Sequence, residues 1–166
     1  MKKMMKVDGL DRNVKRTRLV WIVDCLCAVL LISMTVWVAC RYAALPDRIP
    51  THYGADGVIN GHSGKSMIWV LLAITWFIVG LLSVAERFPK YWNIPFKVTK
   101  ENQARVLTIA WHMLSTTKLI ITGVFAYLII KGTQGGNLSA YFAPIFISAI
   151  SLNSLYWVVR LVLNRK

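Results

Sequence analysis

The side chains best suited to chemistry sit in one polar stretch, Leu45-Pro-Asp-Arg-Ile-Pro-Thr-His-Tyr-Gly-Ala-Asp-Gly-Val-Ile-Asn-Gly-His-Ser-Gly-Lys-Ser66. His52, Asp56 and His62 supply imidazole and carboxylate donors of the kind zinc accepts. Three and five intervening residues in a glycine-rich loop match no standard ligand pair, so no metal is assigned, and imidazoles bonded to loop carbonyls are the alternative. Gly64-Lys65-Ser66 has the ending of a phosphate-binding loop. That motif needs a glycine five residues before its Gly-Lys pair, between a strand and a helix. The position holds Ile59, no strand is expected before it, and a nucleotide site is set aside. No Ser-His-Asp order, paired carboxylates or metalloprotease helix motif occurs elsewhere. The expectation is a non-enzymatic protein with no catalytic residues and no cofactor.

A second group of reactive side chains lies inside apolar sequence. Lys118, Asp24 and His112 interrupt long hydrophobic segments, where a charge is costly and marks a partner or a function. Lys118 falls twelve residues into its segment, near the expected midplane, with Ser115 and Thr122 on its face by helical spacing. Asp24 and His112 lie at similar depths from one side, and an Asp24–His112 or Asp24–Lys118 contact is expected. Two readings stand: interhelical polar contacts, with Asp24 and Glu86, which ends another segment, snorkelling to the interface, or a proton- or ligand-responsive cluster around Lys118. Cys25, Cys27 and Cys40 share one segment; Cys25 and Cys27 point to roughly opposite helix faces, so they read as ordinary thiols.

The elements that must position these residues are membrane helices. The 166-residue chain is 56% hydrophobic and 16% charged, against about 45–50% and about 25% in soluble domains. Its apolar residues come in blocks rather than at a surface-helix period. The expected fold is all-α and integral to the membrane. Four spans are read at 19–42, 66–86, 106–130 and 138–159, forming a single membrane domain over 19–165. A basic tail (1–18), an outer loop (43–65) and an inner loop (87–105) complete it. The first span is too long for a secretory signal core of about 7–15 residues and reads as retained.

Lysine and arginine set the expected orientation. Fifteen fall in the tail, the 87–105 loop and the C-terminal end, four in the two opposite connections, and Lys118 lies within a span. Both termini are therefore expected in the cytoplasm and the 43–65 loop outside. The net charge of +13 is then an orientation signal, and no nucleic-acid partner is expected.

The outer loop carries its own shape. Pro46 and Pro50 fix φ and push Leu45 and Ile49 into extended geometry, while glycines at 54, 57, 61 and 64 permit tight reversals. An ordered extracytoplasmic cap is expected, with His52, Tyr53, Asp56, His62 and Lys65 as ligand or partner contacts. The order Leu45-Pro46-x-x-Ile49-Pro50-x-His52-Tyr53-x-x-x-Gly57, followed by Asn60 and Lys65, resembles the short domain of unknown function in the sporulation-delaying-toxin immunity family. That resemblance implies a multi-pass protein of the bacterial inner membrane, with a toxic peptide as candidate ligand and immunity or signalling as output. Many members have Phe where Tyr53 stands, and the immunity proteins themselves have further membrane segments. A second reading is an accessory subunit of a larger membrane complex such as a transporter. A third is a metal-dependent membrane enzyme using His52 and His62. The bilayer is the partner common to all three; the oligomeric state is left open.

Overall fold

The computed structural model describes residues 14–165; the first thirteen residues of the basic tail and Lys166 lie outside them. The chain is mostly helical: α1 (Arg18–Arg41), α2 (Met67–Arg87), α3 (Gln103–Gln134) and α4 (Phe142–Leu163). All four are long and apolar enough to cross a membrane. The chain is not purely helical, because Arg48–Tyr53 (β1) and Ile59–Gly64 (β2) form a two-stranded antiparallel sheet between α1 and α2.

Thr17 begins α1, its hydroxyl accepting the Val20 N–H at 3.5 Å, and the helix buries Val20, Val23, Cys27, Leu31, Met34 and Val38. Those steps of three and four make one stripe. The opposite faces are apolar too, with Trp21, Ile22, Leu26, Val29, Ile32 and Val36 exposed, as lipid contact requires. That all-round hydrophobicity hides the stripe from the sequence. The interior, by contrast, takes the polar groups: Thr75, Glu86, Ser115, Lys118 and Thr122 are buried. Several threonine hydroxyls bond the carbonyl one turn back, as Thr75 does to Leu71 and Thr122 to Lys118, so they need no partner helix.

Helix ends follow local chemistry. α2 stops at Arg87, two residues before Pro89, which cannot continue it. α3 starts at Gln103, three residues earlier than expected, because Asn102 organises the approach: its carboxamide accepts the Thr99 N–H at 2.8 Å and donates to the Arg165 carbonyl at 2.8 Å. Glu101 thus precedes the helix. Its carboxyl is held below the usual range by a hydrogen bond with Thr99. At the far end Gly135 takes φ 71° and returns its N–H to the Lys131 carbonyl, a left-handed cap. α4 begins at Phe142 rather than Leu138, because residues 137 and 138 are engaged by the sheet.

α3 is the central helix. It packs on α1, α2 and α4, and α1 also packs on α2, whereas α4 makes its substantial contact with α3. α1, α2 and α3 form the core; α4 flanks them, with Leu161 its one buried residue. Asn153 donates to the Thr117 hydroxyl (3.0 Å) and the Trp157 indole to the Thr116 hydroxyl (2.9 Å), pinning α4 to α3.

Candidate functional site: the hairpin end and a buried ionic quartet

At one end of the helices the β1–β2 hairpin folds back onto them. Ile49 and Leu45 enter the same core as Leu31, Met34, Ile68 and Ile129. The ladder runs Arg48↔Gly64, Ile49↔Ser63 and Pro50↔His62, then shifts register around His52. Gly57 makes the turn: its φ is 80°, and a Cβ there would come within 2.6 Å of the Leu138 carbonyl oxygen. Both the backbone angle and that contact exclude a side chain. The Leu138 N–H bonds the Gly57 carbonyl at 2.9 Å, and the Ile59 N–H bonds the Asn137 carboxamide at 3.0 Å. The hairpin is thereby stapled to the α3–α4 link.

The outer-loop candidates divide on this frame. His52 is exposed, with Nδ1 hydrogen-bonded to Asn60 Oδ1. Asp56 caps the turn, accepting the Val58 N–H at 3.0 Å. His62 is exposed, and its carbonyl accepts from Arg48 at 3.4 Å. Lys65 pairs with Asp47 at 3.2 Å and lies 5.7 Å from the Tyr42 ring centroid, which ties off the base of the hairpin. Among the described residues no group of three or more His, Cys, Asp or Glu side chains is placed to hold a metal ion. Contrary to expectation, a strand (β1) does precede position 59 and a helix follows Ser66, but 59–64 is itself a strand (β2) rather than a loop. Position 59 is still isoleucine, so the phosphate-binding loop lacks its first glycine.

Tyr53 behaves differently from its neighbours. It is half-buried, and among the described residues its hydroxyl is buried with no hydrogen-bond partner. It lines an apolar cavity of about 200 Å³ between the hairpin and the helices, with Ile49, Pro50, Met67, Ile68 and Leu71 among the walls. Burial, with a smaller effect from Tyr127, raises the phenol above its ordinary value of 10.0, so the hydroxyl stays a neutral donor.

The second constellation lies near the opposite end. Lys118 Nζ contacts Asp24 directly, Glu86 at 3.0 Å and Ser83 at 3.2 Å. Arg16 spans the same two carboxylates, at 3.1 Å from Asp24 and 3.0 Å from Glu86. Ser115 donates to Glu86 at 3.1 Å, and the Trp111 indole donates to the Glu86 carbonyl at 2.9 Å. Lys118 and Glu86 side chains are 0% exposed. The quartet is charge-balanced, two cations against two anions, and so meets the condition under which buried charge is tolerated.

The structure brings Asp24 and Lys118 together and leaves His112 out: its Nε2 lies 2.7 Å from the Thr17 hydroxyl. Two quartet members were missed. Glu86 does not snorkel, since its carboxylate turns inward to Lys118, and Arg16 is a structural counter-ion rather than merely a topological charge. Charge counting was the available signal. One lysine cannot neutralise two carboxylates, and the basic residues just ahead of α1 are the nearest supply. The depth also differs from expectation. Side chains on a helix point toward its N-terminus, so the amine sits at the level of Asp24, about 9 Å along α1 by helical rise.

This geometry frames the comparisons with known proteins. Residues 29–76 match the family described as Domain of unknown function (DUF1648). The match covers the second half of α1, the whole hairpin and the first half of α2, under a third of the chain. It therefore contains Tyr53 and most of its cavity, while all four quartet residues lie outside it. Neither curated proteins nor solved structures gave a match to the chain.

Proposed function

We propose that the chain is a non-enzymatic protein of the bacterial inner membrane that binds an extracytoplasmic ligand at its hairpin end. Both termini are cytoplasmic in this reading, on the distribution of lysine and arginine, and the hairpin faces outward as a cap. The observation that carries the proposal is the apolar cavity beneath the hairpin with the partnerless Tyr53 hydroxyl at its wall. An apolar cavity suits a ligand with an apolar body, and the Tyr53 hydroxyl, covered in its wall, is an unused donor for a hydrogen-bond acceptor on a ligand that displaces that cover. His52, Asp56, Asn60, His62 and Lys65 lie on the same hairpin outside the cavity lining and are the further outer contacts in this reading. The resemblance of the hairpin sequence to the sporulation-delaying-toxin immunity family makes a toxic membrane-active peptide the candidate ligand and protection the output.

The test is survival of cells with and without the gene under challenge by a sporulation-delaying-type peptide, together with Tyr53→Phe and His52→Ala variants. Protection by the wild type that weakens in both variants supports the reading. Equal survival with and without the gene refutes the immunity role.

A second reading, an accessory subunit of a larger membrane complex such as a transporter, draws on α4. Its substantial packing is on α3 alone, and Ile145, Ile147, Leu152, Leu155 and Val159 are exposed, as is the small polar face at Ser148 and Ser151. A stoichiometric membrane partner recovered in mild detergent, and lost on substituting Ser148 and Ser151 with Leu, would favour it. A clean monomer or homodimer counts against it.

A further inference from the structure

We propose that the crevice between the start of α3 and the end of α4 is a binding site for the phosphate headgroup of an anionic phospholipid. It is a cavity of about 410 Å³, whose polar lining comes from Arg105, Thr108, His112, Trp157, Arg160 and Asn164. Among the described residues no carboxylate lines it. Neither Arg105 nor Arg160 takes part in an ion pair among the described residues, in contrast to Arg16, Lys65 and Lys118.

The neighbouring polar groups sharpen the chemistry. Trp157 has its indole N–H committed to Thr116 and Asn153, and His112 Nε2 is engaged with Thr17; both serve as walls. Asn164 donates to the Arg160 carbonyl at 2.7 Å, fixing the backbone that carries Arg160. What remains to meet a ligand is two guanidinium groups, that of Arg160 lying 6.0 Å from the Tyr156 ring centroid, with Thr108 in the same lining. Guanidinium is the group best matched to a phosphate, through paired N–H donors. The positive end of α3 and the negative end of α4 meet there and offset one another, so the net positive charge comes from the two guanidinium groups.

A lipid rather than a free ion fits because the crevice opens beside apolar surface. Leu152, Tyr156 and Val159 of α4 are exposed and offer acyl chains a path along the helix below the headgroup. Basic pockets between membrane helices are where anionic headgroups bind. This site is at the opposite end from the Tyr53 cavity and does not depend on the ligand proposed there.

The experiment uses the full chain in detergent micelles and compares binding of fluorescent phosphatidylglycerol and phosphatidylcholine of matched chains. The expected preference for phosphatidylglycerol is on the order of thirtyfold, the factor two surface cations supply. Arg105→Gln and Arg160→Gln should each reduce it about fivefold, and the pair should abolish it. The pair Arg105→Lys and Arg160→Lys should keep part of it, and Arg87→Gln, away from the crevice, should leave it unchanged. Equal binding of the two lipids by the wild type overturns the proposal without recourse to any variant. So does a preference that survives the double Gln variant. Displacement of phosphatidylglycerol by millimolar inorganic phosphate would make the crevice a free-phosphate site, and also overturns it.

Discussion

Replacing Lys118 with Met keeps the length of the side chain and removes its charge. The amine faces two carboxylates at about 3 Å, which at an effective dielectric near 20 is about 5–6 kcal/mol of attraction per pair. Desolvation of the buried ions cancels much of that sum. The consequential quantity is what remains after the change: Asp24 and Glu86 share Arg16 alone, and one buried negative charge is uncompensated. Breaking a buried ion pair in this way costs about 3–5 kcal/mol. For a chain of this size that lowers the melting temperature by roughly 6–20 °C. The assay is thermal unfolding in detergent followed by size exclusion. The double variant Lys118→Met, Glu86→Gln leaves Arg16 with Asp24 and restores neutrality, so it should recover most of the loss. If the single variant melts within about 2 °C of wild type, or the double is worse than the single, charge balance is not what holds this centre together.

Other outcomes follow from the hairpin end and the links. Gly57→Ala places a Cβ against the Leu138 carbonyl at positive φ, so the hairpin should loosen at a cost of about 1–3 kcal/mol, read as faster proteolysis within 54–58. Asp56→Ala removes the acceptor for the Val58 N–H and should cost about 0.5–1.5 kcal/mol in the same assay, with no change at the quartet. Tyr53→Phe should leave stability at neutral pH unchanged or slightly raised, since the lost hydroxyl has no partner among the described residues; a loss above about 1 kcal/mol would reveal a further bond. The folded phenol has its pKa raised above 10.0, so it holds its proton when the unfolded one ionises. Its contribution is present below pH 10 and lost as pH climbs through the raised value, and Tyr53→Phe should flatten the alkaline limb of the stability curve. Glu101 has the opposite sign: its folded pKa is lowered, so its contribution is present above the ordinary carboxylate range and lost on acidification, and Glu101→Gln should flatten the acid limb.

The four helices were legible because membrane length and hydropathy leave few alternatives. The hairpin was half legible. The two X-Pro pairs announced extended backbone, and Gly57 announced a turn, but His-x-x-x-Asp and Asn-Gly-His-Ser-Gly do not alternate as strands do. Their pairing rests on the bundle end beneath and on the Asn137–Leu138 link some eighty residues away, which no local pattern encodes. The Asp24–Lys118 contact could be read from the need of a buried lysine for a carboxylate, whereas depth alone pointed equally to His112, which bonds Thr17 instead. Glu86 and Arg16 could not be read from position alone, since both stand where a charge ordinarily meets water. Only the requirement that buried charges sum to zero brings them in. The Tyr53 cavity and the Arg105–Arg160 crevice belong to the packing of separate helices and have no one-dimensional signature.

Arg16 also bears on how the chain is made. Asp24 is eight residues from Arg16 but ninety-four from Lys118. At about 5–20 residues per second, α1 emerges several seconds before the lysine that will neutralise it. During that interval the neighbouring arginine can shield the aspartate, so the first helix enters the bilayer with a chaperone encoded in its own preceding turn. Glu86 arrives next, when α2 is finished, and meets a guanidinium already in place. Lys118 comes last and completes the neutral set. Between the arrival of Glu86 and that of Lys118 the two carboxylates share one guanidinium, so the set is neutral with Asp24 alone and again only once the lysine is in place.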